Sequence, residues 1–286
     1  MIELFSIGSF GIYLLGVTTA IGIAAGLWVM QKEGKRKELD HEKLLDLGML
    51  TVIAGIVGAR LGYIVAFNPM YYLQNPVEIF MIHKGGLSIQ GAIILGGAAA
   101  FGYMKKQQMP IWKTADAFAP GIILGQAIGR IGCDVFGTPM ARNWFWGVNV
   151  NGQLLHPVQM YEVLLNYLLF LILWKKRKSV DYDGQLFIWY LIGFSVNRFI
   201  VEFFRVNPLI IGSLSVAHMI SLMIIVLTVF VMIRLKNKQI NTVSYSQNGL
   251  SRIKEAHSVA DYFIVVSAIV SIVFYYWIHF YFAAVH

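Results

Sequence analysis

Residues 127–137 read AIGRIGCDVFG and close an apolar run that begins near residue 115. Arg130 stands there between two glycines, followed by the chain's one cysteine, Cys133, and by Asp134. Roughly 20 apolar residues of helix cross the hydrocarbon of a bilayer. A guanidinium inside such a helix costs from about 2.5 to more than 10 kcal/mol when unpaired. The stretch therefore reads as the end of a membrane-spanning helix whose charge must have a partner or a ligand.

Working outward, the whole chain fits that reading. It has 286 residues, 57% of them hydrophobic and 13% charged, with a mean hydropathy of +0.64. A soluble domain is about one quarter charged, so this much apolar surface must face lipid. Long apolar stretches fall at 8–30, 44–67, 87–104, 115–135, 158–174, 184–204, 211–233 and 262–284. The first lacks a basic leader and a small-residue cleavage site, so it reads as a retained span rather than a signal peptide. The fold class expected is an all-α integral membrane protein, a polytopic helical bundle of about eight transmembrane helices. Residues 1–238 form its core, 239–258 a cytoplasmic linker and 259–286 an additional C-terminal transmembrane helix.

The net charge of +8 maps onto topology. Loops 31–43, 105–113, 175–183 and 234–257 carry 17 of the 23 lysines and arginines. That alternation is the positive-inside pattern, which puts these loops in the cytoplasm and the N-terminus outside. The basic balance thus concerns the lipid bilayer and its anionic surface, and nucleic acid is not an expected partner. One cysteine excludes an internal disulfide and a cysteine-based metal site; no metal and no cofactor is called for. On the outer side, 68–86 suits an interfacial arm containing Glu78, His83 and Lys84. Residues 136–157 suit an ordered loop, and Trp144, Trp146, Tyr71 and Tyr72 suit the interfacial aromatic belt.

Beyond the basic loops, Arg60, Arg130 and Arg198 fall in the outer halves of their spans. RFIVE (198–202) places Glu202 one turn from Arg198 on the same face. Asp134 stands at the same spacing from Arg130 if the helix continues. Three convergent guanidinium groups suit an anion, and at this depth the available anion is a phospholipid phosphate. Glycines 85, 86, 91, 129 and 132 serve either close helix approach or backbone access to that anion. His218, near the outer end of the seventh span, reads as bonded to a neighbouring helix.

Five blocks in order carry a resemblance: GARLGYIV (58–65), GGLSIQGA (85–92), DAFAPGIILGQAIGRIG (116–132), HPVQMYE (156–162) and RFIVEFFR (198–205). With these, residues 10–235 resemble the prolipoprotein diacylglyceryl transferase family. The resemblance implies transfer of a diacylglyceryl group from phosphatidylglycerol to the lipobox cysteine thiol of preprolipoprotein signal peptides. It implies a bacterial plasma membrane and a site facing the outer leaflet. By matching position, Arg130 and Arg198 are the family's essential arginines and Glu202 orients Arg198. Gly85, Gly86 and Gly91 shape the headgroup pocket, and His156, Tyr161 and Glu162 match the outer end of the fifth span. Arg60, Gln90 and Arg205 complete the expected phospholipid contacts.

The sequence also departs from the family. Gln90 stands where the family usually has histidine, and Cys133, Phe136 and Thr138 replace two asparagines and a glutamate. Glutamine cannot accept a thiol proton. His156, Asp134 or Glu202 could take it instead, or a dedicated base is dispensable. Cys133 reads as a small helix-end residue, since the substrate brings the reacting sulfur. The residues leave open a phospholipid-dependent transfer to another acceptor, and non-catalytic lipid binding or transport.

Overall fold

The computed structural model describes residues 2–7, 10–67, 69–81, 85–243 and 259–283. His83, Lys84 and most of the expected linker lie outside these residues. At the N-terminus, ELFSI and FGIY are rich in aromatic and β-branched residues, which favour strands. They pair as an antiparallel hairpin of β1 (Glu3–Ile7) and β2 (Phe10–Tyr13). The first span is therefore displaced from 8–30: helix α1 runs Leu14–Arg36, and Leu14 N–H donates to Ile2 O at 3.0 Å where hairpin becomes helix.

The remaining elements follow the apolar stretches. They are α2 (His41–Phe67), α3 (Pro69–Gln74), a 3-10 turn (Pro76–Phe80), α4 (Ile89–Lys106) and α5 (Ile111–Arg130). A small hairpin of β3 (Val148–Val150) and β4 (Gln153–Leu155) leads to α6 (Val158–Lys176) and α7 (Gln185–Glu202). Strands β5 (Leu209–Ile211) and β6 (Leu214–Ser215) precede α8 (Val216–Val243) and α9 (Val259–Ala283). Each expected apolar stretch coincides with one of the long helices. By length and composition, α1, α2, α6 and residues 216–237 of α8 are apolar enough to cross a membrane. The protein is a polytopic helical membrane protein. Two boundaries need correction: α8 begins after the β5–β6 hairpin, which turns at Gly212 with φ +58°, and it continues to Val243, into the expected linker.

In lipid, helices associate where small residues let backbones meet. α1 packs on α5 through Gly22 and Gly26 against Gly125 and Gly121. A Cβ on Gly22 would stand 2.6 Å from Gly125 O, and one on Gly26 would stand 2.7 Å from Gly121 O. α2 packs on α4 in the same way, through Gly58 and Gly62 against Gly91. Of the two readings of Gly91, the structure favours close packing.

At the end of the bundle bearing the basic loops, a buried network appears that the sequence reading did not anticipate. Asp116 is fully buried and accepts from Lys37 Nζ at 2.9 Å, Gly184 N at 3.0 Å and Phe187 N at 2.9 Å. It thereby satisfies first-turn N–H groups of α7 from another helix. Glu33, also buried, takes Arg36 at 2.8 Å and Arg177 at 3.1 Å. These contacts tie the ends of α1, α5, α6 and α7 together, about 20 Å along α5 from Arg130.

Candidate functional site

Glu162, in the first turns of α6, is buried at the centre of three arginines from two other segments. Its Oε2 takes Arg130 Nε at the end of α5, and its Oε1 takes Arg198 Nη1 of α7 at 2.9 Å. Arg205 Nη1, just past α7, reaches the same Oε1 at 3.5 Å. The expected Arg198–Glu202 pair is present, with Nη2 to Oε2 at 3.1 Å, and Arg205 Nε lies 3.7 Å from that oxygen. Three cations against two carboxylates leave one positive charge on the cluster. Burial, and then the neighbouring Arg198, pull the Arg205 guanidinium below its ordinary value.

Glu202 is held in turn from the β5–β6 segment. Its Oε1 accepts from Ser215 Oγ at 2.7 Å and from Asn207 Nδ2. Ser215 N–H donates to His218 Nδ1 at 3.1 Å, which leaves the neutral ring's proton on Nε2. His218 therefore bonds the start of its own helix rather than a neighbouring one. Its ring sits 4.7 Å from Phe199 and 4.5 Å from Phe203 between centroids.

The cluster forms the polar end of a cavity of about 1010 Å³. Arg130, Glu162, Arg198, Arg205, Cys133 and Gln90 line that end, while Leu15 through Met30 of α1 line its length. Fifteen residues of helix correspond to about 22 Å, more than the roughly 15 Å hydrocarbon depth of one leaflet. Cys133 Sγ, just past the end of α5, lies 3.6 Å from Arg130 Nη1. Gln90 Oε1 accepts from Ser88 Oγ at 2.9 Å, so its NH₂ group is the donor left to the cavity.

The other expected residues are placed differently. Arg60 does not join the cluster. Its guanidinium donates to four carbonyls: Glu78 O at 2.5 Å, Ile79 O at 3.0 Å, Gly85 O at 2.8 Å and Gly86 O at 3.0 Å. Gly85 and Gly86 adopt φ +86° and +74°, a region costly for other residues, and Arg60 locks that turn. Asp134 Oδ2 accepts the Ile2 N–H at 2.9 Å, tying α5's exit to the N-terminal hairpin. His156 Nδ1 lies 3.0 Å from the Tyr161 hydroxyl, which accepts from Trp146 Nε1 at 3.1 Å. Trp146 thus does more than sit in an aromatic belt. Burial pushes the His156 ring below its ordinary value. Among the described residues, Asp134, Glu202 and His156 do not line the cavity, and Glu162 is its acid.

The fold and site define a class: a polytopic membrane protein holding an arginine–glutamate cluster at one end of a lipid-sized apolar cavity. Residues 3–234 match the family model described as prolipoprotein diacylglyceryl transferase. The chain is 34% identical over 248 residues to the phosphatidylglycerol--prolipoprotein diacylglyceryl transferase of Bacillus cytotoxicus, covering 82% of this chain and 92% of the relative. It is 34% identical over 257 residues to the protein of that name from Bacillus cereus, covering 85% and 94%. For the Bacillus mycoides protein the identity is 35% over 248 residues, covering 82% and 92%. The chain belongs to the prolipoprotein diacylglyceryl transferase family.

Proposed function

We propose that this protein transfers a diacylglyceryl group from phosphatidylglycerol to the lipobox cysteine thiol of preprolipoproteins, at the outer leaflet of the bacterial plasma membrane. One observation carries the reading: three guanidinium groups around Glu162, net positive, close the polar end of a long apolar cavity. Acyl chains suit the apolar length and a phosphate suits the cluster. Residues 1–238 form the core of the reading, and α9 is an addition to it.

The reaction forms a bond from the substrate sulfur to the glyceryl carbon and breaks the bond from that carbon to the phosphate oxygen. The phosphate oxygen keeps the electron pair and leaves as glycerol phosphate. Arg130, Arg198 and Arg205 stand where that charge develops, and such preorganised donors act most strongly out of water. Glu162 and Glu202 hold the forks in place. The thiol proton needs no residue at Gln90: the departing phosphate oxygen can accept it as the carbon–oxygen bond breaks, and with a second pKa of about 6 the released monoester passes it on to water at pH 7.

The test is a vesicle assay with phosphatidylglycerol and a lipobox peptide, read as thioether-lipidated peptide by mass spectrometry. Arg130→Ala and Arg198→Ala should each lose on the order of 10²–10³-fold in rate. Complementation of a transferase-deficient strain by wild type but not by these variants gives the cellular counterpart. Wild-type protein that makes no product beside an active relative would sink the reading.

A further inference from the structure

Helix α9 lies beyond the residues that match the family model, yet it is tied into the site's surroundings. Ile264, Ser271, Tyr275 and Ile278 are buried and share one stripe of the helix. That stripe packs on α6, where Tyr275 OH accepts from the buried Gln159 amide and Ser271 Oγ lies 3.0 Å from Tyr167 OH. Gln159 is one turn before Glu162 on the same helix. Tyr276 OH, beside the stripe, donates to Trp146 O at 2.8 Å. Trp146 Nε1 donates to Tyr161 OH at 3.1 Å, and Tyr161 OH lies 3.0 Å from His156 Nδ1. These contacts lead from α9 through Trp146 to Tyr161 and His156.

A helix that served only as a membrane anchor needs no such bonds, since apolar side chains suffice in lipid. We propose that α9 is a positioning element of the site: Tyr276 holds the outer loop by the Trp146 carbonyl, and so sets Tyr161 and His156 at the first turn of α6 that presents Glu162. Tyr276 acts through Trp146.

The test uses the full chain in nanodiscs, with hydrogen–deuterium exchange over residues 146–156 and steady-state kinetics; the kinetic arm rests on the transferase reading. Tyr276→Phe should speed exchange in 146–156 about five-fold, the factor that one lost hydrogen bond corresponds to. It should lower kcat by a similar factor with KM for phosphatidylglycerol unchanged. In a Tyr161→Phe background it should lower kcat no further, because both changes break one series. Ser271→Ala, which removes a tie to α6 but not to Trp146, should leave exchange in 146–156 at the wild-type rate. Unchanged exchange or unchanged kcat in Tyr276→Phe overturns the proposal, as does full additivity with Tyr161→Phe. A wild type that makes no product sinks the transferase reading alone, and exchange over 146–156 still decides whether α9 holds the loop.

Discussion

Glu162 Oε1 lies 2.9 Å from Arg198 Nη1, across the α6–α7 boundary, and the same carboxylate holds Arg130 and Arg205. Removing this carboxylate leaves three guanidinium groups repelling one another. Glu162→Gln should cost about 3 kcal/mol of stability, the lower end for breaking a buried ion pair, since the arginines are partly exposed. It should also cost about 100-fold in transfer rate, because the forks lose their alignment. Thermal unfolding and the peptide assay read the two effects separately.

Arg198 forks between Glu162 and Glu202 at 2.9 and 3.1 Å. An ammonium is a point charge and cannot make both contacts while also meeting a phosphate. Arg198→Lys should therefore retain the fold and lose at least ten-fold in kcat/KM, with Arg198→Ala lower still.

Asp116 tests the opposite end. Asp116→Asn leaves the buried Lys37 only its longer contact to Asp183, at 3.9 Å, and weakens the hold on α7. The expected loss is about 3–5 kcal/mol of stability, with transfer rate per folded molecule within about two-fold of wild type, since the site lies roughly 20 Å away. A large rate loss in correctly folded protein would overturn this division of roles.

Arg60 is a holder of backbone. Arg60→Ala strands the carbonyls of Glu78, Ile79, Gly85 and Gly86. Stability should fall by about 1–3 kcal/mol per group left unsatisfied by water. Loss of kcat should be smaller than in Arg130→Ala, measured side by side in the peptide assay.

The burial that lowers the His156 pKa gives a pH signature. The folded state favours the neutral ring, so this contribution is complete above about pH 6.5 and is lost as pH falls below it. Wild type should lose stability relative to His156→Gln on acidification from pH 7 to 5. Parallel melting curves check it.

Much was legible because it is local. The apolar stretches and the i,i+4 relation of Arg198 and Glu202 depend only on helix period and composition. The strand-forming residues before Leu14 and before Val216 were hidden, because short hairpins next to long apolar runs read as their continuation. Asp116 stands in the sequence as an acid in an apolar run, and that signal could have marked a buried partner. Nothing local identified the partner as Lys37, 79 positions away.

The sequence by itself determined a polytopic membrane protein with arginines inside its apolar stretches and the motifs of a lipid-handling family. The tertiary structure decided which charges meet. Packing brings Arg130, Arg198 and Arg205 onto Glu162 and Arg60 onto the carbonyls of 78–86, with the Gly22–Gly125 contact fixing α5 against α1 and the Gly58–Gly91 contact fixing α2 against α4. Helix period says which residues share a face; only packing says what that face meets.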